Sequence, residues 1–239
     1  MPRRFLSRVL QIGALTCALT ILASCSVKGT DSASNTDSHS ASASEALVLA
    51  ALADDAPEVT RLIANGADVD YTDSSGRPVL VSATRANSLE VAKVLILAGA
   101  NVNAQDAQQD SAFLYAGAEG LNEILKLTIE HGADVTSTNR YGGTALIPAA
   151  EHGYVQTIRI LLGTDIDVNH VNNLGWTALL EAIILGSGGT DHQEVIRLLI
   201  EAGADINLPD AQGVSALEHA RQKQQSAVAK LLEEAGARR

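Results

Sequence analysis

Cysteine, histidine and clustered carboxylates are the residues from which this chain could build a nucleophile, a metal site or an acid–base pair. It carries two cysteines, Cys17 and Cys25, and six histidines, at 39, 131, 152, 170, 192 and 219. Two cysteines allow one disulfide at most. The histidines are scattered along the chain, with no spacing that puts two on one helix face beside an acid. No Gly-x-Ser-x-Gly elbow, His-Glu-x-x-His pair or phosphate-binding loop occurs. Asp68, Asp134 and Asp205 recur in one local wording, Gly-Ala-Asp, which points to a turn residue and not to a catalytic pair. The expectation is a protein without catalytic residues, metal ligands or cofactor, whose histidines are structural: His131, just before Gly132, suits a helix C-terminus, and His152 an exposed helix position.

The elements that position these residues follow from composition and pattern. Of 239 residues, 46% are hydrophobic but only 3% aromatic, so the interior is expected to be Ala, Leu, Val and Ile in closely packed short helices. A balance of 17 basic against 28 acidic residues argues against a nucleic-acid partner, which needs a basic footprint.

The N-terminus places Arg3, Arg4 and Arg8 before an apolar stretch from Val9 to Ala23, a secretory-signal pattern too short for a comfortable membrane span. The stretch ends in Leu22-Ala23-Ser24-Cys25, which resembles the lipobox of bacterial lipoprotein precursors. The resemblance implies a signal peptide over 1–24, cleavage after Ser24, and a diacylglyceryl thioether with a third acyl chain on Cys25. Several acyl chains anchor durably where one is marginal. Ser26, in place of Asp, implies the periplasmic face of the outer membrane as the destination. Residues 25–44 are rich in Ser and Ala, with Val27 the single large apolar residue, and are expected to form a flexible tether. A flexible chain of that length reaches roughly 25 Å.

From Glu45 onward the chain repeats. Gly66-Ala67-Asp68-Val69, Gly99-Ala100-Asn101-Val102 and Gly132-Ala133-Asp134-Val135 are spaced by 33 residues. A degenerate copy, Asp165-Ile166-Asp167-Val168, follows after 33, Gly203-Ala204-Asp205-Ile206 after 38, and Gly236-Ala237 after another 33. The five extra residues fit Ser187–Asp191, a polar insert between two helices. Ser111, Thr144, Thr177 and Ser215 read as N-caps of short first helices, such as 178–185. Second helices, such as 194–202, end at a glycine suited to the left-handed conformation. Such short helices need stacked neighbours for stability.

The period and wording resemble the ankyrin repeat. The resemblance implies an all-α solenoid of about six helix-turn-helix units with short hairpin loops, over 45–71, 72–104, 105–137, 138–170, 171–208 and 209–239. Ala145, Ala178 and Ala216 replace the family's Pro at the helix start, a departure that leaves the fold expectation intact. It further implies a protein partner held on a concave strip of hairpin tips and first-helix ends. Mapped by register, Tyr141, Leu174, Trp176, Ile184 and Leu185 place large apolar side chains on that strip, with Arg140 and His152 beside them. Trp, Tyr and Arg are enriched at interface hot spots. The predicted partner-binding set is therefore Arg140, Tyr141, His152, Leu174, Trp176, Ile184 and Leu185, with 186–191 as a lip. The competing arrangement packs Trp176 over its neighbouring hairpin and puts Ile184 and Leu185 under the insert.

Function then reads as a lipid-anchored cell-envelope module that binds an envelope or periplasmic protein, with no small-molecule substrate evident. Envelope proteins of this resemblance are toxin-inhibiting immunity proteins or partners of periplasmic enzymes. The alternative is a structural spacer or tether without a specific partner.

Overall fold

A computed structural model describes residues 34–238 of the chain, with side chains from residue 42. The expected signal peptide over 1–24, Cys25 and the side chain of His39 lie outside the described residues. Twelve helices form six consecutive pairs: α1 Ser34–Leu52 with α2 Ala56–Ala64, α3 Val79–Arg85 with α4 Leu89–Leu97, α5 Ala112–Ala118 with α6 Asn122–Glu130, α7 Leu146–Glu151 with α8 Val155–Leu162, α9 Ala178–Ile184 with α10 Thr190–Glu201, and α11 Ala216–Gln222 with α12 Ser226–Glu234. The expected all-α solenoid of six units is what the structure shows. One isolated bridge, Thr72 to Pro78, is the extent of β pairing among the described residues.

Each first helix packs on the first helix of the next unit, and each second helix on the next second helix. The interior is almost wholly Leu, Ile, Val and Ala, and Phe113 is the one aromatic among the fully buried side chains. Most of these helices are too short to persist alone, so the faces buried between units supply their stability. Gly203 ends α10 at φ +91°, a backbone region that costs glycine little.

A side-chain clamp ties four of the five junctions between units. Asp70 Oδ1 accepts the N–H of Asn101 at 2.7 Å, Asn103 that of Asp134 at 2.8 Å, Asn169 that of Asp205 at 2.7 Å and Asn207 that of Arg238 at 2.9 Å. Thr136 holds the equivalent position between the third and fourth units, and its hydroxyl stays in its own turn, 2.7 Å from Asp134 Oδ1. Asp68, Asp134 and Asp205 cap their own turns, accepting the N–H of Asp70, Thr136 and Asn207.

Three local expectations need correction. First, α1 begins at Ser34, inside the stretch read as a flexible tether over 25–44. Alanine favours helix there, and Ser44, which is 2% exposed, accepts the Asp68 N–H at 3.0 Å, so the repeat stack starts before Glu45. Second, Ser111, Thr177 and Ser215 cap their helices, each accepting an N–H three residues on at 3.2 Å, but Thr144 does not. The Ile147 N–H instead reaches the Thr144 backbone carbonyl at 3.2 Å, leaving Thr144 Oγ1 without a partner. Ala145 takes the N-cap instead, with its backbone already helical at φ −57° and ψ −23°. Third, α10 begins at Thr190 and not at Glu194, because the insert adds a turn to its N-terminal end.

Candidate binding groove

The hairpin tips are held by one repeated device. Asp73, Asp106, Asn139, Asn172 and Asp210 share a register, and the Oδ1 of each accepts two backbone N–H groups of its own turn. For Asn139 the donors are Tyr141 and Gly143 at 2.9 and 3.1 Å; for Asn172 they are Leu174 and Trp176, both at 3.0 Å. The other terminal atom is then available to reach elsewhere. Asp106 Oδ2 accepts from Arg77 Nε at 3.2 Å, and Asn172 Nδ2 donates to Glu181 Oε1 at 2.8 Å.

Beside the tips the first helices come close together. Gly117 in α5 is buried, and a Cβ built on it would lie 2.7 Å from Ala145 Cβ, so only glycine permits this approach. The C-terminal ends of α5 and α7 thereby bring Ala118, Glu119, Glu151 and His152 onto one concave surface. Between them and the tips lies a groove of about 390 Å³. Its apolar lining includes Tyr141, Ile147, Pro148, Leu174 and Leu185; its polar lining includes Asp110, Glu119, Arg140, Glu151, His152 and Glu181.

Five of the seven residues singled out from sequence, Arg140, Tyr141, His152, Leu174 and Leu185, line this groove. Tyr141, Leu174 and Leu185 are 54%, 51% and 48% exposed. Trp176 and Ile184 do not line it: both are half-buried against the hydrophobic core, and the Trp176 indole N–H is buried without a partner. The Trp176 position is half-buried or buried in the other units too (Arg77, Asp110, Gly143, Val214), and a large apolar side chain at either position gains by folding down onto the core. Nor does the insert form a lip. His192 Nε2 lies 2.8 Å from the Glu151 carbonyl, and Gln225 Nε2 donates to the Gly186 carbonyl at 3.1 Å, so the insert is held against its neighbours.

Glu181 is the residue that sequence reasoning missed. It is 6% exposed yet lines the groove. Burial and then the charge of Glu151 push its carboxyl up to about 7, against the downward pull of the Asn172 hydrogen bond. The available signal was its register: successive units carry Ser82, Tyr115, Pro148, Glu181 and His219 at this inward position. Asp110 is likewise pushed up by burial and by Asp106, while Arg140, Arg85 and Arg77 oppose the shift. The cations are engaged nearby. Arg140 stacks 4.7 Å above the Tyr141 ring, and Arg85 lies 4.5 Å above that of Tyr115 and 3.9 Å from Asp110.

Elsewhere the histidines bond to local structure. His131 Nδ1 meets the Leu127 carbonyl at 2.8 Å at the end of α6, and His170 Nε2 the Gly142 carbonyl at 2.7 Å. Among the described residues no three His, Cys, Asp or Glu side chains gather as a metal site. The groove offers an apolar wall and a surplus of carboxylates, an arrangement suited to gripping a ligand.

Comparison with known proteins places this architecture. The model of ankyrin repeats (three copies) matches residues 10–106 and 112–210. An ankyrin repeat domain from Acinetobacter baumannii AYE, known from a crystal structure, is 52% identical, with a TM-score of 0.78 over 80% of this chain and 98% of that one. The ankyrin repeat domain of Bcl-3, described as a unique member of the IkappaB family, is 25% identical, with a TM-score of 0.73 over 80% of this chain and 86% of its own. The ankyrin repeat protein YahD of Escherichia coli (strain K12) is 44% identical over 57 residues, 24% of this chain and 28% of that protein.

Proposed function

The chain belongs to the ankyrin-repeat family, and from that premise we propose that it is a lipid-anchored module of the bacterial envelope that holds a protein partner on its concave face. Ankyrin repeats suggest a protein–protein interaction module, in a family that is generally non-catalytic. The observation that carries the binding part is the groove, where Tyr141, Leu174 and Leu185 stand about half exposed beside Arg140. Exposed apolar side chains rimmed by charge mark interaction surfaces. The protein has no enzymatic activity of its own in this reading; it acts as an inhibitor or a supporting subunit of the protein it binds. The lipobox-like Leu22-Ala23-Ser24-Cys25 supports anchoring through Cys25, with the outer membrane as destination.

Two experiments test this. Affinity capture from envelope extracts compares wild type with a triple variant, Tyr141→Ala, Leu174→Ala and Leu185→Ala. Loss of one defined protein supports the reading; an unchanged set of captured proteins removes it. Mass spectrometry of the N-terminus of the membrane-extracted protein should find acylated Cys25, and an unmodified N-terminus would refute the anchor.

A further inference from the structure

Glu181 is a carboxylate more than nine-tenths buried that nevertheless forms part of an open cavity. One of its oxygens is occupied, since Oε1 accepts from Asn172 Nδ2 at 2.8 Å. No hydrogen-bond donor reaches Oε2 among the described residues. From these facts, and resting on the concave face being the binding face, we infer that the groove takes one basic side chain of the partner protein, its cationic head on Glu181 Oε2 and its stem along Leu174 and Leu185.

The charges around Glu181 favour this occupant. Asp110 and Glu119 line the groove from the third unit, Glu151 and His152 from the end of α7, and Arg140 from the hairpin tip. Of these four carboxylates, Glu181 included, Asp110 is paired with Arg85 at 3.9 Å, and the one guanidinium lining the groove, Arg140, is stacked on Tyr141 and makes no bond to Glu181. A buried carboxylate lacking a counter-charge is costly, and a cation arriving from a partner relieves that cost while the groove excludes water around the pair. An acidic or purely apolar partner segment would leave Glu181 without a counter-charge. At about 390 Å³ the groove has room for a long side chain and its flanking residues. A cation on Oε2 also draws the proton off Glu181, so binding releases protons near neutrality and weakens in acid.

The test uses the full chain and two probe peptides, acetyl-Leu-Arg-Leu-amide and its citrulline counterpart, which keeps the shape and removes the charge. Titrations followed by the backbone amide signals of Glu181 and Leu185 should show the arginine peptide binding about tenfold more tightly. Glu181→Gln should erase that preference, with its helical circular dichroism checked. If Glu181→Gln loses helix, Glu151→Gln, altered at a helix end, replaces it and should reduce the preference about threefold. Because an imidazole also titrates near neutrality, proton release is measured in a His152→Gln background. Equal binding of the two peptides, or no binding of either at about 10 mM, overturns the inference. The wider reading fails separately: if Tyr141→Ala, Leu174→Ala and Leu185→Ala together leave capture of the natural partner unchanged, the face itself is wrong. If they abolish capture while Glu181→Gln does not weaken it, the face stands and the basic-side-chain assignment falls.

Discussion

In the last unit His219 Nε2 lies 2.7 Å from Asp210 Oδ2, the same register pair that Asn172 and Glu181 form one unit earlier. Burial pushes the Asp210 carboxyl up, but the Val214 N–H, His219 and the Gln212 N–H outweigh it and hold the group below the ordinary carboxylate range. The folded value lies below the unfolded one, so the stability this carboxylate contributes is full above the unfolded value. It is lost as pH falls through the folded one. His219→Ala should cost about 1 kcal/mol at pH near 6 and flatten the fall in urea midpoint below about pH 4. Parallel acid limbs in the two proteins would rule out His219 as the cause.

Glu181 behaves in the opposite sense. With its carboxyl pushed up to about 7, the folded chain binds a proton that the unfolded chain has released. Stability is therefore highest at or below the unfolded carboxylate range and declines as pH rises through about 7. Glu181→Gln should be more stable than wild type by about 1–2 kcal/mol at pH near 8.5, the gap closing toward about pH 4.5. Chemical denaturation across that range checks it; a gap that does not change with pH would refute the assignment.

The inter-unit clamps predict an uneven solenoid. Asn103→Ala removes the acceptor for the Asp134 N–H and the donor to the Gly132 carbonyl. It should cost about 1 kcal/mol and speed hydrogen exchange at the Asp134 amide. Thr136→Ala, at the position that makes no such bridge, should change stability by less than about 0.5 kcal/mol. Equal costs at the two sites would show that the clamp contributes nothing.

Gly117→Ala tests packing against local preference. Alanine is the better helix former by about 1 kcal/mol, yet its methyl would meet Ala145 Cβ at 2.7 Å. The expected outcome is a net loss of about 1–3 kcal/mol from overpacking, read as a lower urea midpoint. An unchanged or raised midpoint would mean that α5 and α7 separate freely.

The fold was readable because a 33-residue period leaves few other ways to bury so many short apolar faces. The tips and helix ends of the groove were readable through the ankyrin resemblance, which implies the strip on which register places Arg140, Tyr141, His152, Leu174 and Leu185. Register does not say which way a side chain leans, and Trp176 and Ile184 turned inward onto the core. Glu181 was hidden because acids in this chain recur as turn residues, while this one lies in a helix between Leu180 and Ala182. Its burial depends on contacts between units that no single unit displays. Thr144 misled because its hydroxyl marks a cap, whereas α7 starts one residue later, with Ala145 at its N-cap. The start of α1 was obscured by a Ser/Ala composition that suits a linker as well as a helix.

The repeated Asx turn has one more consequence. Asp106, Asn139, Asn172 and Asp210 make each bend through side-chain oxygen and main-chain nitrogen, so the side chains at 107–108, 140–141, 173–174 and 211–212 take no part in forming it. Residues that choose a ligand are thereby uncoupled from residues that shape the chain. Specificity can drift one substitution at a time over an unchanging chassis, and relatives built on the same frame are free to recognise unrelated molecules.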